Sequence, residues 1–205
     1  MGRKAMDPEI RRQQFIKAAE ELFREKGYDN VTMSEIADRV GMSHGAYFYY
    51  FKSKEELMRA LIINSVRETE EHLKAVVSDK SKSAVEKMQF LLSMTIDSYS
   101  SEQEFIEFAH DYGNTGIYRE FTLMTRKANV PLLAEIIKQG NREGSFHVKY
   151  PEDTMEYLMF IFESLYDTIS QARDKKVYTR KMKALEIAVS RVLGAKEDTF
   201  QLGGQ

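Results

Sequence analysis

Cysteine is absent from the 205-residue chain, which excludes disulfide frameworks, thiolate metal sites and cysteine nucleophiles and makes the protein indifferent to the redox state of its surroundings. A cytoplasmic location is the expectation. Proline is scarce, at 3 residues, and glycine is ordinary, at 11, so collagen-like and low-complexity architectures are excluded. No run approaches the ~18 uninterrupted apolar residues that a bilayer span needs, and the start MGRKAMDPEIRRQQ lacks the apolar stretch of a signal peptide. No membrane partner is expected. Histidine is confined to His44, His72, His110 and His147; none forms an H-E-x-x-H or other metal-spaced pair, and neither a Gly-rich phosphate loop nor a nucleophile elbow occurs. No catalytic residue, metal site or cofactor is therefore expected. Nor is there an excess of one charge, with a net −2 overall and 11 basic against 10 acidic residues in positions 1–60. Local distribution says more: Arg3, Lys4, Arg11, Arg12 and Lys17 gather at the start, and no acidic residue lies between Arg39 and Lys54. Two basic or acid-free zones flank one short segment, a pattern suited to a polyanion.

What is present favours helices. Apolar residues at 42% and charged residues at 30% describe a globular chain long enough for one large domain or two small ones. Apolar positions recur at helical spacing and no stretch alternates as a half-buried strand would, so the expected fold is all-α. Asp7 caps a first helix, with Pro8 at its first position and Phe15, Ala19, Leu22 and Phe23 on one face before Gly27. Thr32 and Glu35 have the spacing of a capping box, with Val31 and Ile36 placed as a hydrophobic staple, and the second helix runs to about Val40. Gly41 suits a left-handed turn, and Ser43 caps a third helix. Ser53 and Glu56 start a long helix from about Lys54 to Val77. Further helices are expected near 84–100, 102–111, 115–139, 152–173 and 179–193, with Pro131 bending or splitting one of them, for a total of about nine or ten. The expected domains are residues 1–53 and 54–205.

Residues 32–51, TMSEIADRVGMSHGAYFYYF, have the spacing of a helix-turn-helix. Ile36, Ala37, Val40 and Met42 pack the second helix across the third, and Tyr47 and Phe51 face the same interior. His44, Gly45 and Phe48 are left pointing outward. Ser43, His44 and Gly45 occupy the end of the third element, where side chains reach base edges and free N–H groups favour a phosphate oxygen. The alternative for His44 is a solvated surface position, and for Tyr49 and Tyr50 it is packing in the small core.

The stretch AAEELFREKGYDNVTMSEIADRVGMSHGAYFYYFKSKEEL closely resembles the DNA-binding domain of the TetR family of bacterial transcriptional regulators, over roughly fifty residues. The resemblance implies a three-helix helix-turn-helix domain followed by a larger, variable helical domain that binds a small molecule and forms a homodimer. It also implies roles residue by residue. Thr32 stands at the phosphate-contacting start of helix two; Ser43, His44, Gly45 and Ala46 match the base-reading stretch; Phe48 and Tyr49 stand against the sugar–phosphate backbone; and Lys54 matches a phosphate-binding lysine. Phe48 departs from the usual Tyr and Tyr47 from the usual Leu, so the first lacks a hydroxyl for phosphate and the second brings a phenol into a core position.

Beyond the N-terminal domain, Met and aromatic residues are frequent, and such side chains make adaptable walls for an apolar pocket. Met94, Phe105, Phe108, Tyr112, Met159, Phe162 and Tyr166 are the expected ligand contacts, and plain core packing is the alternative for each. The ligand is lipophilic, or cationic if an acidic residue such as Asp97, Glu104, Glu107, Asp111 or Glu163 faces the cavity. Helix 152–173 is apolar on two faces, Met155, Met159, Phe162 and Tyr166 on one and Leu158, Ile161, Leu165 and Ala172 on the other, so it must be buried twice. The resemblance assigns one face to the pocket and the other to a four-helix dimer interface with helix 179–193, where Leu165 and Val189 are expected. The implied function is a homodimeric repressor that leaves a pseudo-palindromic, double-stranded operator when its effector binds. The rivals are a non-enzymatic helical adaptor and a helical enzyme retaining a DNA-binding-like N-terminus.

Overall fold

The computed structural model describes residues 7–43, 45–101, 116–165 and 174–202, and among these it contains seven α-helices, one 3₁₀ turn and no strand. The helices are α1 (Pro8–Lys26), α2 (Met33–Val40), α3 (Lys54–Ser78), α4 (Ala84–Ser101), α5 (Gly116–Glu143), α6 (Pro151–Glu163) and α7 (Lys175–Val192). The chain divides into two compact units, Met1–Glu68 with Glu104–Phe121, and Thr69–Gln103 with Thr122–Gln205, so the division falls inside α3. The helix expected at 102–111 lies outside the described residues. No described helix is long and apolar enough to cross a membrane.

The first unit is built on the face of α1 that buries Phe15, Ile16, Ala19, Leu22 and Phe23. Asp7 starts this helix by accepting the Glu9 N–H at 2.9 Å, and Gly27, at φ 76°, ends it. Ile36 and Ala37 of α2, Phe51, and Leu57 and Leu61 of α3 close one core with it. Ser53 accepts the Glu56 N–H at 3.1 Å, while the Glu56 carboxylate turns back to the Lys52 N–H at 2.7 Å. The start of α3 is thereby fixed by side chains.

The core of the second unit joins Met88, Leu92 and Ile96 of α4, Leu133, Ala134, Ile136 and Ile137 of α5, Met155, Leu158 and Phe162 of α6, and Met182, Leu185 and Val189 of α7. Pro131 does not split α5, which runs unbroken to Glu143. The proline removes one intrahelical bond, and the four buried residues just beyond it hold the second half of the helix in place. The last helix starts four residues earlier than its apolar spacing indicates, because Asp174 caps it by accepting the Lys176 N–H at 2.7 Å.

The two-faced reading of residues 152–173 needs correction. Met155, Leu158, Phe162 and Leu165 form one buried stripe, at steps of three and four residues, rather than belonging to opposite faces. Leu165 and Val189, expected at the dimer seam, are 3% and 0% exposed within the unit's own core. The apolar side chains that α6 and α7 leave outside are Tyr157, Phe160 and Val192. Ala172 lies outside the described residues.

After α7 the chain continues as a strap that periodicity does not announce. Gly194, at φ 60°, turns it across His147, whose N–H donates to Leu193 at 2.8 Å. Phe200 is fully buried against Phe146. Gln201 and Gln89 exchange two hydrogen bonds, 2.9 and 2.8 Å, and the Leu202 N–H donates to buried Glu186 at 2.6 Å.

Candidate nucleic-acid interface

Thr32 and Glu35 form the capping box that their spacing predicts. The Thr32 hydroxyl accepts the Glu35 N–H at 3.2 Å, and Glu35 Oε2 accepts the Thr32 N–H at 2.8 Å and its hydroxyl at 2.9 Å. Thr32 is exposed, but its own polar groups are engaged in starting α2, so an external phosphate would meet the N–H groups of the first turn. Lys26 donates to the other oxygen of Glu35 at 2.8 Å. This bond first, and the Thr32 bonds next, hold the Glu35 carboxyl down to about 2. Because the folded-state value is depressed, the contribution of Glu35 is fully present above the ordinary value of 4.5 and disappears as pH falls through about 2. Glu35→Gln is therefore expected to lower the melting temperature at neutral pH and to match the parent protein near pH 2, in melts run across that range. Arg39 adds a second tie between α2 and α1, with 2.9 and 3.2 Å bonds to Glu25 and a 3.5 Å bond to Glu21.

Gly41 makes the turn in the left-handed region, at φ 73° and ψ 37°, and the Met42 N–H returns to the Ala37 carbonyl at 2.9 Å. The following element is shorter than expected. Ser43 does not cap an α-helix: its carbonyl accepts the Ala46 N–H at 2.8 Å, and Ala46–Tyr49 is a 3₁₀ turn with no side-chain cap. Four consecutive aromatic residues, Tyr47 to Tyr50, have modest helix propensity, and the inward pull of Phe51 ends the turn after one revolution. His44 lies outside the described residues.

The turn presents what the sequence places outside. Ser43 and Gly45 are exposed, Ala46 is half-buried, and Phe48 and Tyr49 are 60% and 79% exposed. Tyr47 packs partly into the core, its ring centroid 4.1 Å from that of Phe48, and Tyr50 covers Phe15 at 5.3 Å. The alternative of core packing thus applies to Tyr50 and not to Tyr49. Two large apolar rings in water on an otherwise acid-free turn are a cost to the isolated protein, and such surfaces mark binding sites more often than decoration.

Lys54 is oriented differently from a simple phosphate ligand. Its ammonium donates to the carbonyls of Tyr28 at 2.8 Å and Val31 at 2.9 Å and lies 4.1 Å from the centre of the Tyr28 ring. Burial holds its pKa below the ordinary value for a lysine. Two of the three N–H bonds are used inside the protein, leaving one for an outside oxygen. Tyr28, which sequence reasoning did not single out, carries half of this clamp. Burial pushes its phenol up to about 12, and nothing in its spacing announced the part.

The expected ligand contacts are only partly within the described residues. Phe162 is in the core of the second unit, and Met94 and Met159 pack against it partly buried. Phe105, Phe108, Tyr112 and Tyr166 lie outside the described residues, as do Glu104, Glu107 and Asp111. Glu163 is ion-paired with Arg126 at 3.5 Å. No group of metal-binding side chains occurs among the described residues.

Comparison with known proteins covers both parts of the chain. The profile of the bacterial regulatory proteins of the tetR family matches residues 15–61, and that of the tetracyclin repressor-like C-terminal domain matches residues 100–188. The HTH-type transcriptional regulator TtgR of Pseudomonas putida is 40% identical over 62 residues, 30% of this chain and 29% of that protein. The aligned stretch is thus less than a third of that relative's length. Among solved structures, a TetR/AcrR-family regulator from Thermobifida fusca has a TM-score of 0.61 at 28% identity, covering 77% of this chain and 84% of the other. SmeT of Stenotrophomonas maltophilia, in complex with triclosan, has a TM-score of 0.67 at 18% identity, covering 95% and 96%. With a capped second helix, a left-handed glycine turn and an exposed aromatic turn in the first unit, and family profiles matching both that segment and residues 100–188, the chain belongs to the tetR family of bacterial regulatory proteins.

Proposed function

We propose that the chain is a cytoplasmic, homodimeric transcriptional repressor that binds a pseudo-palindromic operator and leaves it when a small molecule binds the second unit. The observation that carries this reading is the solvent-exposed turn Ser43–Tyr49, on which Phe48 and Tyr49 stand out while α2 is capped and tied to α1 behind it. On this reading Ser43, His44, Gly45 and Ala46 read base edges, Phe48 and Tyr49 pack against the sugar–phosphate backbone, and the amides at the start of α2 hold a phosphate. Phe48 has no hydroxyl and offers apolar contact, to a thymine methyl or a sugar. A dimer is needed because two such turns must reach successive major grooves, about 34 Å apart or a multiple of it. Tyr157 and Val192, two of the large apolar residues exposed on α6 and α7, suit its interface. The effector acts by binding more tightly when the two turns are misplaced for DNA, which shifts the dimer away from the competent state. SmeT, which shares the fold, has been solved with the lipophilic phenol triclosan, and a lipophilic effector is proposed here.

The test is recovery of bound fragments from a genomic pool with the purified protein, followed by a salt titration. Roughly eight phosphate contacts per dimer give a log–log slope of about −7. Normal dimerisation without specific retention would favour the adaptor, and a slope near zero would exclude the phosphate contacts. Gly45 offers a sharper check. It has φ −86° and ψ −14°, ordinary helical values, and a Cβ added there meets nothing within 4 Å. The fold does not require a glycine, so Gly45→Ala is expected to change stability by less than about 0.5 kcal/mol. Specific DNA binding should nevertheless fall, because the added methyl group stands between the backbone and the duplex.

A further inference from the structure

Two polar atoms on α5 are buried without a hydrogen-bond partner: Thr125 Oγ1 and Asn129 Oδ1. Residues four apart lie one turn from each other on the same helical face. Asn129 is 3% exposed, and native proteins rarely leave a buried amide oxygen unsatisfied without a reason. Between them along the helix stands Arg126, with 16% of its side chain exposed, whose Nε is 3.5 Å from Glu163 Oε1 and whose guanidinium lies 4.2 Å from the centre of the Phe160 ring. These contacts fix α6 beside this part of α5. Arg126 and Glu163 match one another, so this pair carries no uncompensated charge. Burial raises the Glu163 carboxyl and Arg126 opposes that rise.

We propose that the face of α5 bearing Thr125 and Asn129 anchors the polar end of a neutral, apolar small molecule through a hydroxyl group, which donates to Asn129 Oδ1 and is bonded by the Thr125 hydroxyl. The inference rests on the ligand-responsive reading above and names the chemistry of the effector. Among the described residues, the carboxylate that a cation would use here, Glu163, already faces Arg126, and an anion would need Arg126 to leave Glu163. A neutral donor needs neither. The body of the molecule would meet the inward apolar residues Met159 and Phe162 of α6, not Phe160, which is exposed. Ser190 Oγ is the third such atom among the described residues; it lies on α7, one turn from buried Glu186, rather than on α5, and serves as the control.

The experiment is calorimetric titration of the intact protein with 2-naphthol and with 2-methoxynaphthalene, which has the same ring system and no donor. The parent protein is expected to bind 2-naphthol at least about ten-fold more tightly, an ordinary value for one hydrogen bond to a buried acceptor. Asn129→Leu should abolish that discrimination, Thr125→Val should reduce it, and Ser190→Ala should leave it intact. Melting temperatures measured on the same variants identify any that fail to fold, and Thr125→Val then carries the comparison. Absence of saturable binding of 2-naphthol, equal affinity for the two probes, or unchanged discrimination in both α5 variants would overturn the proposal and leave a buried water or a packing defect as the account of Asn129. Fragment recovery separates the two readings. Operator retention with failed probe binding sinks this site alone, whereas probe binding without DNA retention sinks the repressor reading.

Discussion

Gly140→Ala is expected to be among the most damaging single-methyl changes in the second unit. A Cβ built on Gly140 would lie 2.0 Å from Cδ2 of Phe146 and 2.5 Å from its Cγ, far inside van der Waals contact. Phe146 cannot retreat easily, since it is 1% exposed and packs against fully buried Phe200. Its backbone is also tied down, because the Phe146 N–H donates to the Gly140 carbonyl at 3.1 Å and the Ser145 N–H to the same oxygen at 3.0 Å. Overpacking of this kind costs about 3 kcal/mol, and the better helix propensity of alanine returns less than about 1 kcal/mol. The expected fall in melting temperature is about 4 to 12 °C for a chain of this size. Phe146→Leu in the same chain should recover part of the loss, a non-additivity that a double-mutant cycle measures directly. A melting temperature unchanged by Gly140→Ala would show that the ring has room to move.

Lys54→Met should have the second large effect, and it distinguishes two roles for one side chain. Methionine keeps much of the apolar stem while removing the ammonium that joins the Tyr28 and Val31 carbonyls. Hydrogen bonds from a charged group contribute about 1.5 to 3 kcal/mol each where both ends are buried, and partial exposure here reduces the pair to about 2 kcal/mol in total. DNA binding is expected to weaken across all sequences alike, whether through the remaining N–H or through the displaced start of α2, which follows Val31 directly. The melting temperature separates these routes. A phosphate ligand alone would leave it unchanged, whereas the clamp predicts a fall in the absence of DNA. The comparison needs operator titrations and thermal melts on the same preparations.

These two residues also mark what the sequence makes legible. The start of α2 was readable because a capping box is local: Thr32 and Glu35 are three residues apart and satisfy each other's backbone. Gly41 was readable because few other residues accept φ 73°. The outward direction of Phe48 was readable because buried Phe51 fixes which way the turn faces. What escaped was decided at a distance. The inward direction of Lys54 depends on carbonyls 23 and 26 residues away, and spacing is silent about where a long flexible side chain ends. The 3₁₀ turn was misread as a capped helix because Ser43 has the right side chain but lends only its carbonyl. Of the two effects expected of Pro131, the split does not occur, because the burial of Ile136 and Ile137 beyond it outweighs one missing bond. On α6 the apolar residues outnumber those one face can hold, so composition could not say that Leu165 belongs inward and Tyr157 outward. Thr125 and Asn129 carried no signal at all, since an unsatisfied polar atom becomes visible only once its surroundings are known.

The strap that ends in Phe200 and Leu202 bears on how the protein is made. Among the described residues the first unit's core lies within 15–62, whereas the second unit's core cannot close until Phe200 is available, because Gln89 waits for Gln201 across 112 positions. At synthesis rates of about 5 to 20 residues per second, the intervening stretch takes roughly 6 to 22 seconds to emerge. During that interval Met88, Leu92 and Ile137 have no finished core to enter, and they are held back from aggregation only by partial helix pairing or by a chaperone. The order of synthesis therefore leaves the second unit as the last part of the chain to be completed.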